Sequence, residues 1–290
     1  MNSSVLVGIV TRNRVQILEK AITSVLEQRD AGVRVSVLDD GSTDATSKLK
    51  DRYPTIKWIR WEQNRGLIEA RNYLMHSAGE EYFVSLDDDA WFMEGDEIAV
   101  AARCLQQNPN VAAIAFDILS PDRPQASART APRPTSMFIG CGHMVRLRQV
   151  RQVGFYESSP STYGGEEKDL CLRLIDAGYE IVLLPGLHVF HDKTSVERHT
   201  PTQHRSGVTN DLAMTFRRTP LLVLPFAFIW KFFRHLVFSV ANGLTAACIG
   251  GFVDFLRAIP TLCRSRRPVR SATLRKFVDL RRSQDAIQIV

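Results

Sequence analysis

Two acidic clusters carry the most legible chemistry in this chain. Asp39 and Asp40 open the run Asp39-Asp40-Gly41-Ser42-Thr43-Asp44, and Asp87, Asp88 and Asp89 stand in succession further on. Three consecutive carboxylates repel one another, so something must offset their charge. Carboxylate oxygens suit a divalent cation such as Mn2+ or Mg2+. The plain alternative for either cluster alone is a solvated acidic turn. No Gly-x-Gly-x-x-Gly or Gly-x-x-x-x-Gly-Lys-Ser/Thr loop occurs, so a phosphate bound here needs a metal on the Asp cluster to neutralise it.

The surrounding elements bring these clusters together. Residues 5–10 and 33–38 are apolar runs that read as buried strands, with residues 56–61 and 82–86 as the third and fourth. Apolar residues recur at helical spacing from Val15 to Gln28, a capped helix is expected over 45–53, and after a break at Asn64-Arg65-Gly66 a further helix is expected to about Ala78. Strand and helix alternating in this way predict an open parallel α/β sheet. Such sheets bind ligands at the carboxyl ends of their strands, which is where both acidic clusters fall. Residues 120–136, rich in Pro, Arg, Ser and Ala, read as a loop. A helix near 167–177 and a strand near 180–184 follow.

Composition divides the chain in two. Its 290 residues are 44% hydrophobic and 23% charged, enough for one substantial core plus an appendage. The net charge is +6, yet from Lys193 onward sixteen Lys/Arg face five Asp/Glu, a net of +11, leaving −5 for the first 192 residues. The basic segment also holds apolar runs at 221–230 and a charge-free stretch at 236–253. Basic residues beside aromatic and aliphatic ones suit a helix lying in a membrane interface, and a short spanning or re-entrant segment at 236–253 is the alternative. Arg264, Arg266, Arg267 and Arg270 would then meet anionic headgroups. The apolar partners of the basic tail favour lipid over nucleic acid. Five widely spaced cysteines and an N-terminus lacking a signal-peptide pattern fit a cytoplasmic setting.

Ile9-Val10-Thr11-Arg12-Asn13-Arg14, Asp39 to Asp44, Asn64-Arg65-Gly66 with Ala70-Arg71-Asn72, and Leu86-Asp87-Asp88-Asp89 resemble the successive signatures of family 2 glycosyltransferases. Gly164-Gly165-Glu166-Glu167-Lys168-Asp169-Leu170-Cys171-Leu172-Arg173 is similar to that family's Gly-Glu-Asp-x-Asp-Leu-x-x-Arg segment. The match runs over about residues 5–195, which assigns 1–200 to a GT-A catalytic domain and 201–290 to a helical, basic, membrane-associating region. The resemblance implies a nucleotide-diphosphate-sugar donor and an inverting reaction. It implies that Asp40 holds the nucleobase, which favours UDP or dTDP, and that Asp88 holds the ribose or a phosphate. Thr11, Arg12, Asn13, Asn64, Gly66 and Arg71 would line the nucleotide. Asp89 would bind the metal with support from Asp87, and His191, rather than His188, would complete the metal shell.

Inversion needs a single general base. The family places an Asp where this chain has Glu167, so Glu166 stays a rival, and Asp169 is either a further participant or the residue that orients the helix. The plain alternative is a helix N-terminus whose acidic residues complement the dipole. Trp91 could stack on a sugar ring. His143 falls where family members line the donor or acceptor pocket, or else is a packed histidine. The basic, apolar tail resembles members that extend lipid-linked glycans or glycolipids at the cytoplasmic side of the cell membrane. A nucleotidyltransferase and a non-catalytic membrane scaffold of the same fold are the rival readings; the first would carry a Gly-rich phosphate loop that residues 8–14 lack.

Overall fold

A computed structural model of the chain describes residues 4–29, 32–126, 131–162, 164–193 and 200–285. The chain divides into two compact units, one of Met1–Phe155 with Ala177–Val196 and the other of Tyr156–Asp176 with Glu197–Val290.

The first unit is built on β1 (Val5–Thr11), α1 (Val15–Leu26), β2 (Val33–Asp40), a 3-10 turn (Ala45–Lys48) leading into α2 (Leu49–Arg52), β3 (Lys57–Trp61), α3 (Leu67–Ser77) and β4 (Tyr82–Asp87). The helix expected over 45–53 is thus split between two helix types. β5 (Ala90–Phe92), α4 (Glu97–Gln107), β6 (Val111–Leu119), β7 (Arg133–Pro134), β8 (Gly142–Arg146) and α5 (Leu147–Val153) follow. Its last strand is β9 (Glu180–His191), which the second unit's α6 (Glu166–Asp176) precedes in the chain. The sheet runs β3-β2-β1-β4-β8-β6-β9-β5, with β7 paired to β9.

β3, β2, β1 and β4 are parallel, as the alternation requires. All seven residues of β1 are buried, as expected for a strand covered on both faces. The sheet is nevertheless mixed. β8 lies antiparallel between β4 and β6, and β5 lies antiparallel to β9. The strand expected near 180–184 continues to His191 through Pro185-Gly186. It slips register against β6 between Ala115 and Asp117, a bulge that accommodates the proline. The expected loop at 120–136 is partly ordered pairing, since Arg133 and Pro134 bond along β9. Residues 127–130 of that loop lie outside the described residues.

The motif loops at the strand ends fasten one another. Asp39 accepts the Ser42 amide at 2.8 Å, closing its own turn. Asn13, in the left-handed region at φ 54°, donates its amide to Ser42 Oγ and accepts the Thr43 amide at 2.8 Å. Asp44 accepts from the amides of Thr46 and Val15, capping two helical segments at once. Asp40 accepts the amides of Arg65 and Gly66 at 2.7 and 2.9 Å. Gly41 adopts φ +77°, and a Cβ there would sit 2.9 Å from the Asn64 amide nitrogen. Only glycine permits that approach.

In the second unit, α7 (Thr200–Arg218), α8 (Leu224–Ala241), α9 (Thr245–Arg264) and α10 (Ser271–Asp285) join α6. Asp169 on α6 accepts from Arg173 Nε at 2.7 Å and from Arg218 Nε, on α7, at 2.6 Å. Arg218 also reaches Glu157 at 2.6 Å. α7 and α9 touch almost backbone to backbone: a Cβ on Gly251 would lie 2.7 Å from the Arg205 carbonyl oxygen. Val208, Leu212, Cys248, Phe255 and Leu262 form their core.

The charge-free stretch 236–253 is not one helix. It breaks at Asn242-Gly243-Leu244, with Gly243 at φ +68°. α8 and α9 are each long and apolar enough to cross a membrane. α8 leaves Phe226, Ile229, Trp230, Phe233, Val237 and Val240 each more than half exposed. The arginine cluster is partly engaged within the unit: Arg266 bonds the carbonyls of Phe216 and Thr219, and Arg270 pairs with Asp176.

Gly41→Ala should lower stability by about 2 kcal/mol, combining left-handed backbone strain with the clash at Asn64. Urea denaturation checks this, and an unchanged midpoint contradicts it. Asp169→Asn should cost about 3 kcal/mol at neutral pH, the scale for breaking a buried ion pair. Burial raises the Asp169 pKa, but Arg173 and Arg218 outweigh it and hold the carboxyl below its usual range. Its contribution is therefore present above the unfolded value of about 3.9 and is lost as pH falls through the lower folded value. The stability gap between wild type and Asp169→Asn should narrow in acid; a constant gap contradicts the ion-pair account.

Candidate active site

β4 ends at Asp87, and the chain turns through Asp88 and Asp89 directly into β5. β5 pairs antiparallel with the end of β9 in a register that sets Ala90 opposite His191. The Asp192 amide donates to the Asp89 carbonyl at 2.9 Å, which locks that corner. His191 Nε2 comes to 3.2 Å from Asp89 Oδ1. Among the described residues, Asp87, Asp89 and His191 form the group whose ligand atoms converge, all within 4.8 Å of one another. Two carboxylates and an imidazole are a fitting donor set for Mn2+ or Mg2+. His188 turns elsewhere, with Nδ1 2.5 Å from Glu94.

Two arginines bear on the acidic run. Arg71, buried on α3, donates to Asp87 at 2.5 Å and to the Gly140 carbonyl at 3.0 Å. Arg14 Nη1 lies 2.7 Å from Asp88 and 3.8 Å from Asp89. Asp88 is buried, and burial pushes its carboxyl up to about 6 against the opposing pull of Arg14. Arg14 gave no sequence signal beyond its place in the Thr11-Arg12-Asn13-Arg14 run. Its partner is distant in the chain, so spacing does not reveal it. Ser42 and Asp44, whose place in the Asp39–Asp44 run alone implies no role, fasten the loops.

The expected nucleotide residues gather at the same strand ends. Thr11 is buried at the end of β1, opposite Asp39. Arg12 and Asn13 follow it, and Asn64, Arg65 and Gly66 form the loop that Asp40 holds. Trp91 stacks on Phe190 with centroids 4.9 Å apart and carries Lys20 Nζ over its ring at 3.4 Å. His143 is fully buried and lies flat on Phe138 at 3.9 Å. Burial, then the neighbouring Arg71 charge, lowers its pKa to about 3, so it is neutral. With no solvent contact, it can affect a ligand only through the residues it packs on.

Glu166, Glu167 and Asp169 belong to the second unit and open α6, following Gly164 and Gly165, both at positive φ. Glu166 and Asp169 are buried and Glu167 is half-buried. Acidic residues in a first helical turn also complement its dipole.

Known proteins share this fold. A pre-mycofactocin glycosyltransferase of Mycobacterium tuberculosis is 28% identical over 207 residues, covering 65% of this chain and 42% of that protein. The chain spans less than half the length of the first curated relatives it matches. The mannosyltransferase PcManGT of Pyrobaculum calidifontis, solved with GDP-Man and Mn2+, superposes with a TM-score of 0.63 at 16% identity over 88% of each chain. TarS 1–349 of S. aureus gives 0.63 at 17% identity, covering 90% of this chain and 83% of that one. These likenesses show the GT-A fold. Residues 6–149 match the family model described as Glycosyl transferase family 2, and with the carboxylate run and the motif loops in place the chain belongs to that family.

Proposed function

We propose that this protein transfers a sugar, with inversion, from a nucleotide-diphosphate-sugar to a hydroxyl of a lipid-linked glycan or glycolipid at the cytoplasmic face of a membrane. The observation that carries the reading is the convergence of Asp87, Asp89 and His191 at the carboxyl end of a nucleotide-binding type of sheet. PcManGT was solved with a nucleotide sugar and Mn2+, which supports the same use here. Asp87, Asp89 and His191 would hold a divalent cation, which would supply counter-charge to the diphosphate.

The chain's own groups do the rest. Asp40, whose two oxygens already order the Arg65–Gly66 loop, uses its remaining lone pairs on the nucleobase. Asp88 and Arg14 address the ribose and phosphates, and Thr11, Asn13 and Asn64 line the nucleotide. Glu167 accepts the proton of the acceptor hydroxyl as that oxygen bonds to the anomeric carbon. The bond to the diphosphate breaks on the opposite face, and the diphosphate leaves with the electron pair. Asp169 on α6 is a poor proton acceptor. Two arginines hold it ionised, which suits an orienting role. UDP and dTDP are the favoured nucleotides.

Membrane association rests on α8 and α9. Lys231, Arg234 and His235 sit in the middle of α8, and charged groups there fit a helix lying in the interface better than one crossing it. The exposed apolar side chains of α8 supply the membrane face.

Full-length protein on vesicles with Mn2+ should release nucleoside diphosphate from one donor in a panel of UDP-, dTDP- and GDP-sugars, and EDTA should stop the release. Neither release nor nucleotide binding with any donor contradicts the reading and favours a non-catalytic scaffold. Glu167→Gln should keep donor binding and lose transfer by roughly 10²- to 10⁴-fold. If Glu166→Gln has that effect and Glu167→Gln does not, Glu166 is the base.

A further inference from the structure

Asp211 on α7 draws together more positive charge than one carboxylate neutralises. Its Oδ1 accepts from Lys168 Nζ at 3.2 Å. Its Oδ2 accepts from Lys231 Nζ, accepts from Arg234 at 3.4 Å, and lies 3.0 Å from His235 Nε2. Two lysines and an arginine face this one carboxylate before His235 is counted, so basic groups outnumber the acid. Among the described residues, no other carboxylate pairs with Lys168, Lys231 or Arg234. All of these groups belong to the second unit.

Crowding like charges in a partly buried place is costly unless an anion completes the set. Lys231 registers that cost: burial, and then the neighbouring Lys168 ammonium, push it down to about 7. The Lys231 and His235 side chains are 12% and 13% exposed, whereas Arg234 is 46% exposed, so the cluster opens to solvent on the Arg234 side. A purely structural knot would need one cation for Asp211, not four candidates from two helices.

The geometry points to an anion site: Lys168, Lys231, Arg234 and His235, gathered by Asp211, take a phosphate or diphosphate group. Charge-assisted contacts from several donors are the usual means of holding such a group. The same helix exposes Phe226, Trp230, Phe233 and Val237 on another face, so a phosphate carrying an apolar chain suits the site. That lipid source deepens the acceptor reading above and rests on it; the anion site does not.

Calorimetry on the full chain in EDTA, with inorganic diphosphate and with farnesyl diphosphate as probes, tests the assignment. Wild type should bind diphosphate without metal. Lys231→Gln and Arg234→Gln should each weaken binding by about ten-fold, the scale for losing one hydrogen bond to a charged group. Circular dichroism checks their fold, and half-exposed Arg234 provides a variant that leaves the buried contacts in place. Tighter binding of farnesyl than of inorganic diphosphate supports a lipid-linked ligand; equal binding supports a free one. No binding of either probe by wild type, or equal affinity in wild type and both variants, overturns the site. Failure of sugar transfer with metal-free diphosphate binding retained would count against the proposed function alone.

Discussion

Like charges held side by side at the end of β4 govern the first unit. Asp87, Asp88 and Asp89 cannot disperse, because the antiparallel β5–β9 pairing fixes the corner that carries them. The chain answers each one differently. Arg71 takes Asp87 from α3, Arg14 takes Asp88 from the start of α1, and Asp89, fully buried, faces His191. Two arginines and one imidazole leave the cluster short of the compensation a water-exposed turn would enjoy. Burial still drives the Asp88 carboxyl up to about 6 despite Arg14. A divalent cation is the natural remaining counter-charge, and a diphosphate can share it.

The motif residues that frame this corner act mainly on one another. Asp39, Asn13, Ser42 and Asp44 tie the turn after β2 to the turn after β1, and Asp40 with Gly41 seats the Asn64–Gly66 loop. Loops are ordinarily the mobile parts of a sheet protein. Here side-chain-to-amide bonds replace the backbone partners that loops lack. The result is a preorganised rim at the strand ends, which suits binding a polar ligand without a large ordering cost.

Much of this was legible in the sequence because it depends on local pattern. The first four strands show as short runs, the second and fourth ending in carboxylates, and their order implies that the ends share one edge. What pattern does not encode is pairing between distant segments. β8 is five residues long, and nothing in Gly142 to Arg146 states that it enters antiparallel between β4 and β6. β9 hides its second half behind Pro185-Gly186, which reads as a strand end, yet that half delivers His191. Arg14 and Arg71 reveal their roles only when α1 and α3 dock. Within the charge-free stretch 236–253 the turn is marked only by the dipeptide Asn242-Gly243, since neither abutting helix end carries a charge. The Asp211 cluster does not show in the sequence, because its basic groups come from two separate helices, α6 and α8.

The central claim is that Asp87, Asp89 and His191 hold a divalent cation that serves a nucleoside diphosphate. Anomalous diffraction from crystals grown with Mn2+ and a nucleoside diphosphate tests it most directly. The account predicts one Mn2+ peak within coordination distance of Asp89 and His191, touching the diphosphate oxygens. A nucleotide bound at the strand ends with no manganese there, or manganese elsewhere, would contradict it.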